Sequence, residues 1–403
     1  MRHRLRPAPV LIAAALAGCG TASSRSGDID ADDLPELALV EELRIGSLED
    51  PELGFSSIGG VAVDAGGRTY VLERQEREIR VYDRDGTRVG TIGGPGSGPG
   101  EFESPTSFGL LADTVWVSDS RLGRMTLFTS AGEVVSTIMP SAGATFESPG
   151  GVRVTVRPSR IRADGLLEGS GGRITVPNGG PPQGDLLLPR FVFDRSGAVI
   201  DTIAIDTIRN PFSTSVERIE VGAIRISKTP PPSDEPYPVT TADGGIRIER
   251  PHAPTGDESV FTVTRTGLAG DTVYHRAFRY APRPYDDALI DSMAARRAQP
   301  YEERAGADFD ALKAAIREAY VLPPFQAPVT LVRLGADESL WIRREEATGA
   351  HRWIVLRPDG SPRGQLEFPR RDVIAWSSGD QLWMIERDEY DVQWLVRYRI
   401  RGG

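Results

Sequence analysis

A repeat of 46 residues constrains this chain more than any other feature. Tyr70 and Trp116 stand 46 positions apart, as do Tyr82 and Phe128, and Gly86 and Gly132. Internal periods of this length mark arrays of one supersecondary unit. Each unit holds four short runs of alternating apolar residues: GVAVDAGGRTYVLE at 60–73 and IRVYDRDGTRVGTI at 79–92, then FGLLADTVWVSD at 108–119 and MTLFTSAGEVVSTI at 125–138. Tight turns such as Arg84-Asp85-Gly86 and Ser130-Ala131-Gly132 separate the runs. Glycine there supplies the positive φ that hairpins need.

Four antiparallel strands in about 45 residues, repeated, describe a propeller blade. The pattern of Asp, Gly, aromatic-Val-x-acid and aromatic-x-x-x-Gly resembles the NHL-repeat family. The link GGPGSGPGEFESP at 93–105 resembles that family's Gly-rich connector. Fragments of the pattern continue beyond residue 138. Leu340-Trp341-Ile342 precedes Pro358-Asp359-Gly360, Leu382-Trp383-Met384 precedes a strand ending at Ile400, and Trp341 and Trp383 are 42 apart. Segments 160–205 and 243–280 supply two more units. The expected fold is therefore all-β: a six-bladed β-propeller of four-stranded antiparallel blades over residues 37–403.

The last unit shows only three clear strands, while LALVEELRI at 37–45 is a strand without a unit. Pairing it outside the last strand would close the ring and hide a sheet edge. Tyr70, Trp116, Trp341 and Trp383 are expected to pack between blades. Residues 206–236, with the Pro-rich TPPPSDEP, read as a long excursion. Residues 284–320 read as a helical insertion between blades four and five. There Phe309, Leu312, Ile316 and Ala319–Tyr320 form a stripe at helical spacing, and Asp308 is a natural cap.

The N-terminus carries an address. Met1-Arg2-His3-Arg4-Leu5-Arg6 is basic, and an apolar run from Val10 to Ala17 follows. That run is too short to span a bilayer and reads as a secretory signal over 1–18. Leu16-Ala17-Gly18-Cys19 resembles the bacterial lipobox, and Cys19 is the single cysteine of the chain. The resemblance implies cleavage before Cys19, a multiply acylated cysteine, and a membrane partner through that lipid. One chain alone would anchor only marginally. Position two after the cut is Gly20 rather than the Asp that commonly retains such proteins in the inner membrane, which points to the outer membrane. Residues 19–36 are small, polar and acidic, and are expected to form a flexible tether.

The net charge of −10, with no basic stripe, argues against nucleic acid as a partner. Lysine occurs only at Lys228 and Lys313, so arginine here is the general-purpose cation.

Strand directions in a propeller put the end of each second strand on the face that carries the inter-blade links. The charged residues expected on that rim, as a ligand site at the channel mouth, are Glu73, Arg74, Asp119, Arg344, Glu386 and Arg387. Solvated or mutually paired charges are the plain alternative, since NHL repeats carry an acid at this place. His252, His275 and His351 show no metal-ligand spacing, and the asparagines Asn178 and Asn210 lie off the clear strands. No Gly-x-Ser-x-Gly elbow or Walker A loop is present. The expected function is a binding or scaffold module for a protein, peptide or small ligand, without metal or cofactor. The competing expectation is a channel-sited, divalent-cation-dependent hydrolase or lyase of the lactonase-like propeller type, with Glu73, Asp119 and Glu386 round the cation.

Overall fold

A computed structural model describes residues 28–50, 53–139, 143–148, 151–162, 164–176, 186–208, 218–222, 224–227, 237–241, 244–249, 259–267, 271–302, 308–320, 322–344, 350–369 and 371–403. The signal segment and Cys19 lie outside them, as does His252.

Strands dominate, and six sheets of four or five strands follow one another along the described chain. The first joins Ile58–Val63, Thr69–Glu73, Glu78–Tyr82 and Arg88–Gly93. The second joins Pro105–Leu111, Thr114–Asp119, Arg124–Thr129 and Val134–Ile138. The third joins Arg160–Ile161, Leu167–Ser170, Leu186–Phe193 and Val199–Ile208. The fourth joins Tyr237–Thr241, Gly244–Glu249, Ser259–Gly267 and Thr272–Tyr280, and the fifth Leu331–Leu334, Leu340–Arg344, Ala350–Leu356 and Pro362–Pro369. The sixth takes Val373–Ser378, Gln381–Arg387 and Gln393–Arg401, with Ala38–Ile45 as its outermost strand. In each, these four strands pair antiparallel in order, the arrangement of propeller blades. The turns use the expected glycines: Gly86 and Gly132 sit at φ 85 and 91, one repeat apart.

The segment expected to complete the sixth sheet does pair there, antiparallel, with Ala38 opposite Arg401 and Ile45 opposite Leu395. The repeated aromatics each seal an interface. Tyr70 packs between the first and second sheets and Trp116 between the second and third. Trp341 packs between the fifth and sixth, and Trp383 between the sixth and first. All four are at most 6% exposed, so each contributes on the order of 2–3 kcal/mol by burial. A further cluster, with Phe261, Phe278, Ile342 and Ile354, joins the fourth and fifth sheets.

One expectation needs correction. Residues 28–36, read as part of a flexible tether, form a strap. Ile29–Asp30 adds a parallel fifth strand to the fourth sheet, opposite Phe278 and Arg279. Ala31 and Leu34 are buried, in the cluster between the fourth and fifth sheets. The chain then crosses the edge of the fifth sheet: the Leu37 N–H donates to the Gln365 carbonyl at 2.8 Å, and the Gln365 N–H to Pro35 at 2.9 Å. It continues directly into Ala38–Ile45. The acidic composition hid three apolar anchors.

Two smaller units interrupt the pattern. A three-stranded sheet (Ala144–Ser148, Val152–Val156, Arg173–Thr175) precedes and interleaves the third sheet. Helices α1 (Asp287–Ala298) and α2 (Phe309–Glu318) bury Ala294, Ala298, Leu312 and Ile316 against the hairpin Arg218–Val221/Ile224–Ser227. The insertion and the excursion after the third sheet thus share one apolar core. Asp308 caps α2, accepting from the Ala311 N–H at 3.0 Å.

Candidate functional site

The six charged positions expected on the rim have separate tasks, and among the described residues no hydrogen bond or ion pair joins any two of them. Glu73 is 0% exposed at the end of the first sheet's second strand. Its carboxylate accepts from the backbone N–H of Ser57 at 2.7 Å, Ser56 at 3.1 Å and Gln75 at 3.3 Å. Burial pushes its pKa up, against those amide donors and the nearby Arg80 guanidinium. Asp119, 46 residues on, repeats the device with four donors. Glu103 and Ser104 lie at 2.8 and 3.0 Å, and Arg121 and Leu122 at 3.0 and 2.9 Å. Both acids therefore clamp the incoming link to the strand end, and their oxygens are filled.

Arg344 occupies the same place in the fifth sheet with the opposite charge. Its guanidinium forms a short ion pair with Asp32 of the strap and lies 5.6 Å from the Tyr280 ring centroid. Asp32 also accepts from the Ala281 N–H at 2.9 Å, where the chain leaves the fourth sheet for the helical insertion. That insertion closes at its root, with Pro284 bridged to Phe325. The root of the insertion and the strand end at Arg344 thus share one face. The described apolar contacts of the helices are with the hairpin at 218–227.

Glu386 accepts from Arg44 at 2.9 Å and, in a short hydrogen bond, from the Tyr398 hydroxyl. Burial and that carboxylate push the Tyr398 pKa up. Arg387 is paired with Asp391 at 2.9 Å, and Arg74 reaches the Gly59 carbonyl at 3.4 Å. Of the histidines in the described residues, His275 meets Thr264 Oγ1 at 2.8 Å and His351 meets Arg343 at 3.2 Å. Among the described residues no group of three or more His, Cys, Asp or Glu side chains could hold a metal ion.

Sequence reasoning missed the concave surface beside Asp119. A cleft of about 380 Å³ opens between the second sheet and the segment Arg157–Ser159. Its walls carry Ser118, Ser120, Arg124 and Ser159. A second hollow of about 510 Å³ lies over the three-stranded sheet, lined by Ser170, Arg173 and Thr175, and Arg157 borders both. The signal was present as strict alternation in Val152, Val154 and Val156, all 0% exposed, but it falls outside the 46-residue period. A third hollow, of about 560 Å³, lies between the fifth and sixth sheets at the opposite ends of the strands. There Arg363 is paired with Asp380 and Arg399 with Glu42.

No protein-family model matches the chain, and no curated protein matches it. Solved structures do align with it over most of its length. A Bacteroides fragilis protein described as exported is 13% identical, covers 93% of this chain and 98% of its own, and gives a TM-score of 0.46. PQQ-bound aldose sugar dehydrogenase from Streptomyces coelicolor is 12% identical over 91% and 100% of the two chains, with a TM-score of 0.40. Virginiamycin B lyase from Staphylococcus aureus is 13% identical over 90% and 99%, with a TM-score of 0.36. Similarity at this level identifies no residue of this chain as functional. Among the described residues no helix is long and apolar enough to cross a membrane.

Proposed function

We propose that this protein is a lipid-anchored, extracytoplasmic six-bladed β-propeller that binds a ligand on the face carrying its inter-blade links. Five consecutive packed interfaces, running from the fourth sheet through the fifth, sixth, first and second to the third, support a closed ring. The outermost strand Ala38–Ile45 supports the closure from the other end of the chain. Leu16-Ala17-Gly18-Cys19 supports acylation of Cys19, and Gly20 in place of Asp supports attachment to the outer membrane.

The observation that carries binding over catalysis is the state of the strand-end charges. A cation-dependent hydrolase needs convergent carboxylates with free oxygens. Glu73 and Asp119 spend theirs on backbone amides, and Glu386 on Arg44 and Tyr398. The cleft beside Asp119 stays open, and Ser118, Ser120, Arg124 and Ser159 on its walls suit recognition.

The test is a thermal-shift screen of the full-length protein in detergent, with calcium or EDTA, beside lactone and ester turnover assays. Small polar ligands should raise the Tm equally in both conditions, and Ser120→Trp, which fills the cleft, should abolish the effect. Turnover abolished by EDTA and restored by calcium would overturn the reading in favour of the hydrolase.

A further inference from the structure

Arg157 borders two adjoining hollows, and the charged and hydroxyl-bearing side chains along this groove are specific enough to name a ligand class. We propose that this groove binds a short acidic saccharide, its carboxylates on Arg157 and Arg173 and its hydroxyls on the serines along the second sheet. The inference rests on the binding reading above and gives that site a substrate class.

Three observations support it. The first is unspent positive charge in an acidic protein. Many arginines near the rim are committed: Arg344 to Asp32, Arg387 to Asp391, Arg121 to Glu103 and Arg160 to Glu168. Arg157 and Arg173 are exposed, and neither has an ion pair or side-chain hydrogen bond among the described residues. Arg173 stands opposite Thr155 in the ladder, and Arg157 follows two residues after Thr155, just past the end of its strand. Arg124 adds a third cation: its terminal nitrogens hold the carbonyls of Ser97, Gly98 and Glu101, while its Nε is buried without a partner.

The second observation is that the one acid lining the groove among the described residues, Asp119, is already quenched. Asp119 accepts four backbone N–H groups, so it repels an incoming anion less than a free carboxylate would. The field in the cleft is left to the guanidinium groups, whose planar forks match carboxylates in bidentate geometry.

The third is the lining itself. Ser118, Ser120 and Ser159 present hydroxyls, and among the described residues no aromatic side chain lines either hollow. A polyhydroxylated ligand can exchange donors and acceptors with such a wall. A flat base or an aromatic peptide side chain would find no ring to stack on.

The experiment is calorimetric titration of the full-length protein in detergent with trigalacturonic acid, its methyl ester and triglutamate. The triacid should bind, and the neutral ester about tenfold or more weakly, because charge-assisted hydrogen bonds are lost. Arg157→Gln should weaken the triacid about tenfold, and Arg173→Gln roughly three- to tenfold, with Arg333→Gln on the fifth sheet unchanged. Raising salt should weaken binding in parallel. The proposal is overturned if the ester binds as well as the acid, if Arg157→Gln binds normally, or if triglutamate equals the sugar, which would make the groove a peptide site. Failure of the triacid alone, while other ligands still shift the Tm through the cleft, would sink the saccharide and spare the binding reading. EDTA-sensitive turnover would sink both.

Discussion

The second and fifth sheets end their second strands on opposite charges and use them for the same mechanical purpose. In the second sheet Asp119 gathers four amide N–H groups from the link before it and the turn after it. In the fifth sheet Arg344 stands at the matching strand end and grips Asp32, which lies 312 residues away in the chain. The sign follows what crosses the position. A local link presents bare N–H groups and calls for an anion, whereas the strap presents a carboxylate and the Ala31 carbonyl and calls for a cation. The strand-end position is a clamp in both, and its charge reports its cargo rather than a ligand.

The most severe way to break this comparison is to remove the cargo. Deleting residues 28–45 takes the fifth strand from the fourth sheet and the outermost strand from the sixth. Cooperative unfolding should be lost, or the Tm should fall by at least about 10 °C. Deleting 20–27 should leave it within a degree or two by the same scale. Equal melting curves for the two truncations would show that the strap carries no load.

Single clamps come next. Arg344→Ala should cost about 3 kcal/mol, because a buried cation is lost from an ion pair and a ring contact. Asp119→Ala should cost about 2 kcal/mol, since several buried N–H groups lose their acceptor. Urea titrations measure both. Asp32→Asn should recover part of the Arg344→Ala defect by sparing an unpaired carboxylate, and leave Asp119→Ala untouched.

Acid should separate the two regions with the smallest and most diagnostic effect. Burial acts to raise the Asp32 pKa, but the Ala281 N–H and Arg344 outweigh it and hold the group below 3.8. Its contribution is therefore complete above 3.8 and is lost as pH falls through the lower folded value. Glu73 has the opposite sign. Burial holds its pKa above 4.5, so the fold binds its proton more tightly than the unfolded chain. Its contribution is greatest below 4.5 and declines as pH rises through the folded value. Hydrogen exchange between pH 5 and 3 should show protection fading at residues 28–37 and persisting at 56–58. Simultaneous loss at both would remove the distinction.

The sequence reveals the parts of this architecture that repeat and conceals the parts that do not. Tyr70, Trp116, Trp341 and Trp383 declare their packing role because a period of 42–46 residues fixes their place on each strand. LALVEELRI declares itself by alternation. The strap does not, because Ile29, Ala31 and Leu34 are three apolar residues in an acidic run whose partners are about 250–340 positions away. Glu73 and Asp119 are visible as strand-end acids, yet a sequence shows side chains and not the backbone N–H groups that fill their oxygens. Arg157 and Arg173 escape for another reason: Arg173 lies in the three-stranded sheet that interrupts the repeat, and Arg157 just past the end of that sheet's middle strand.

The strap also sets a leash. From Cys19 to Ile29 the chain takes ten steps, a reach of at most about 35 Å. With Cys19 in a bilayer as proposed, the outer edge of the fourth sheet cannot wander farther from the lipid surface than that. Tension on the leash would enter at a two-residue parallel pairing, Ile29–Asp30, meet the Asp32–Arg344 ion pair next, and only then load the long antiparallel seam of Ala38–Ile45. The weakest contact stands first in the load path, so a tug would peel the fourth and fifth sheets' edge before it strained the sixth, lengthening the leash while the seam of the sixth sheet held.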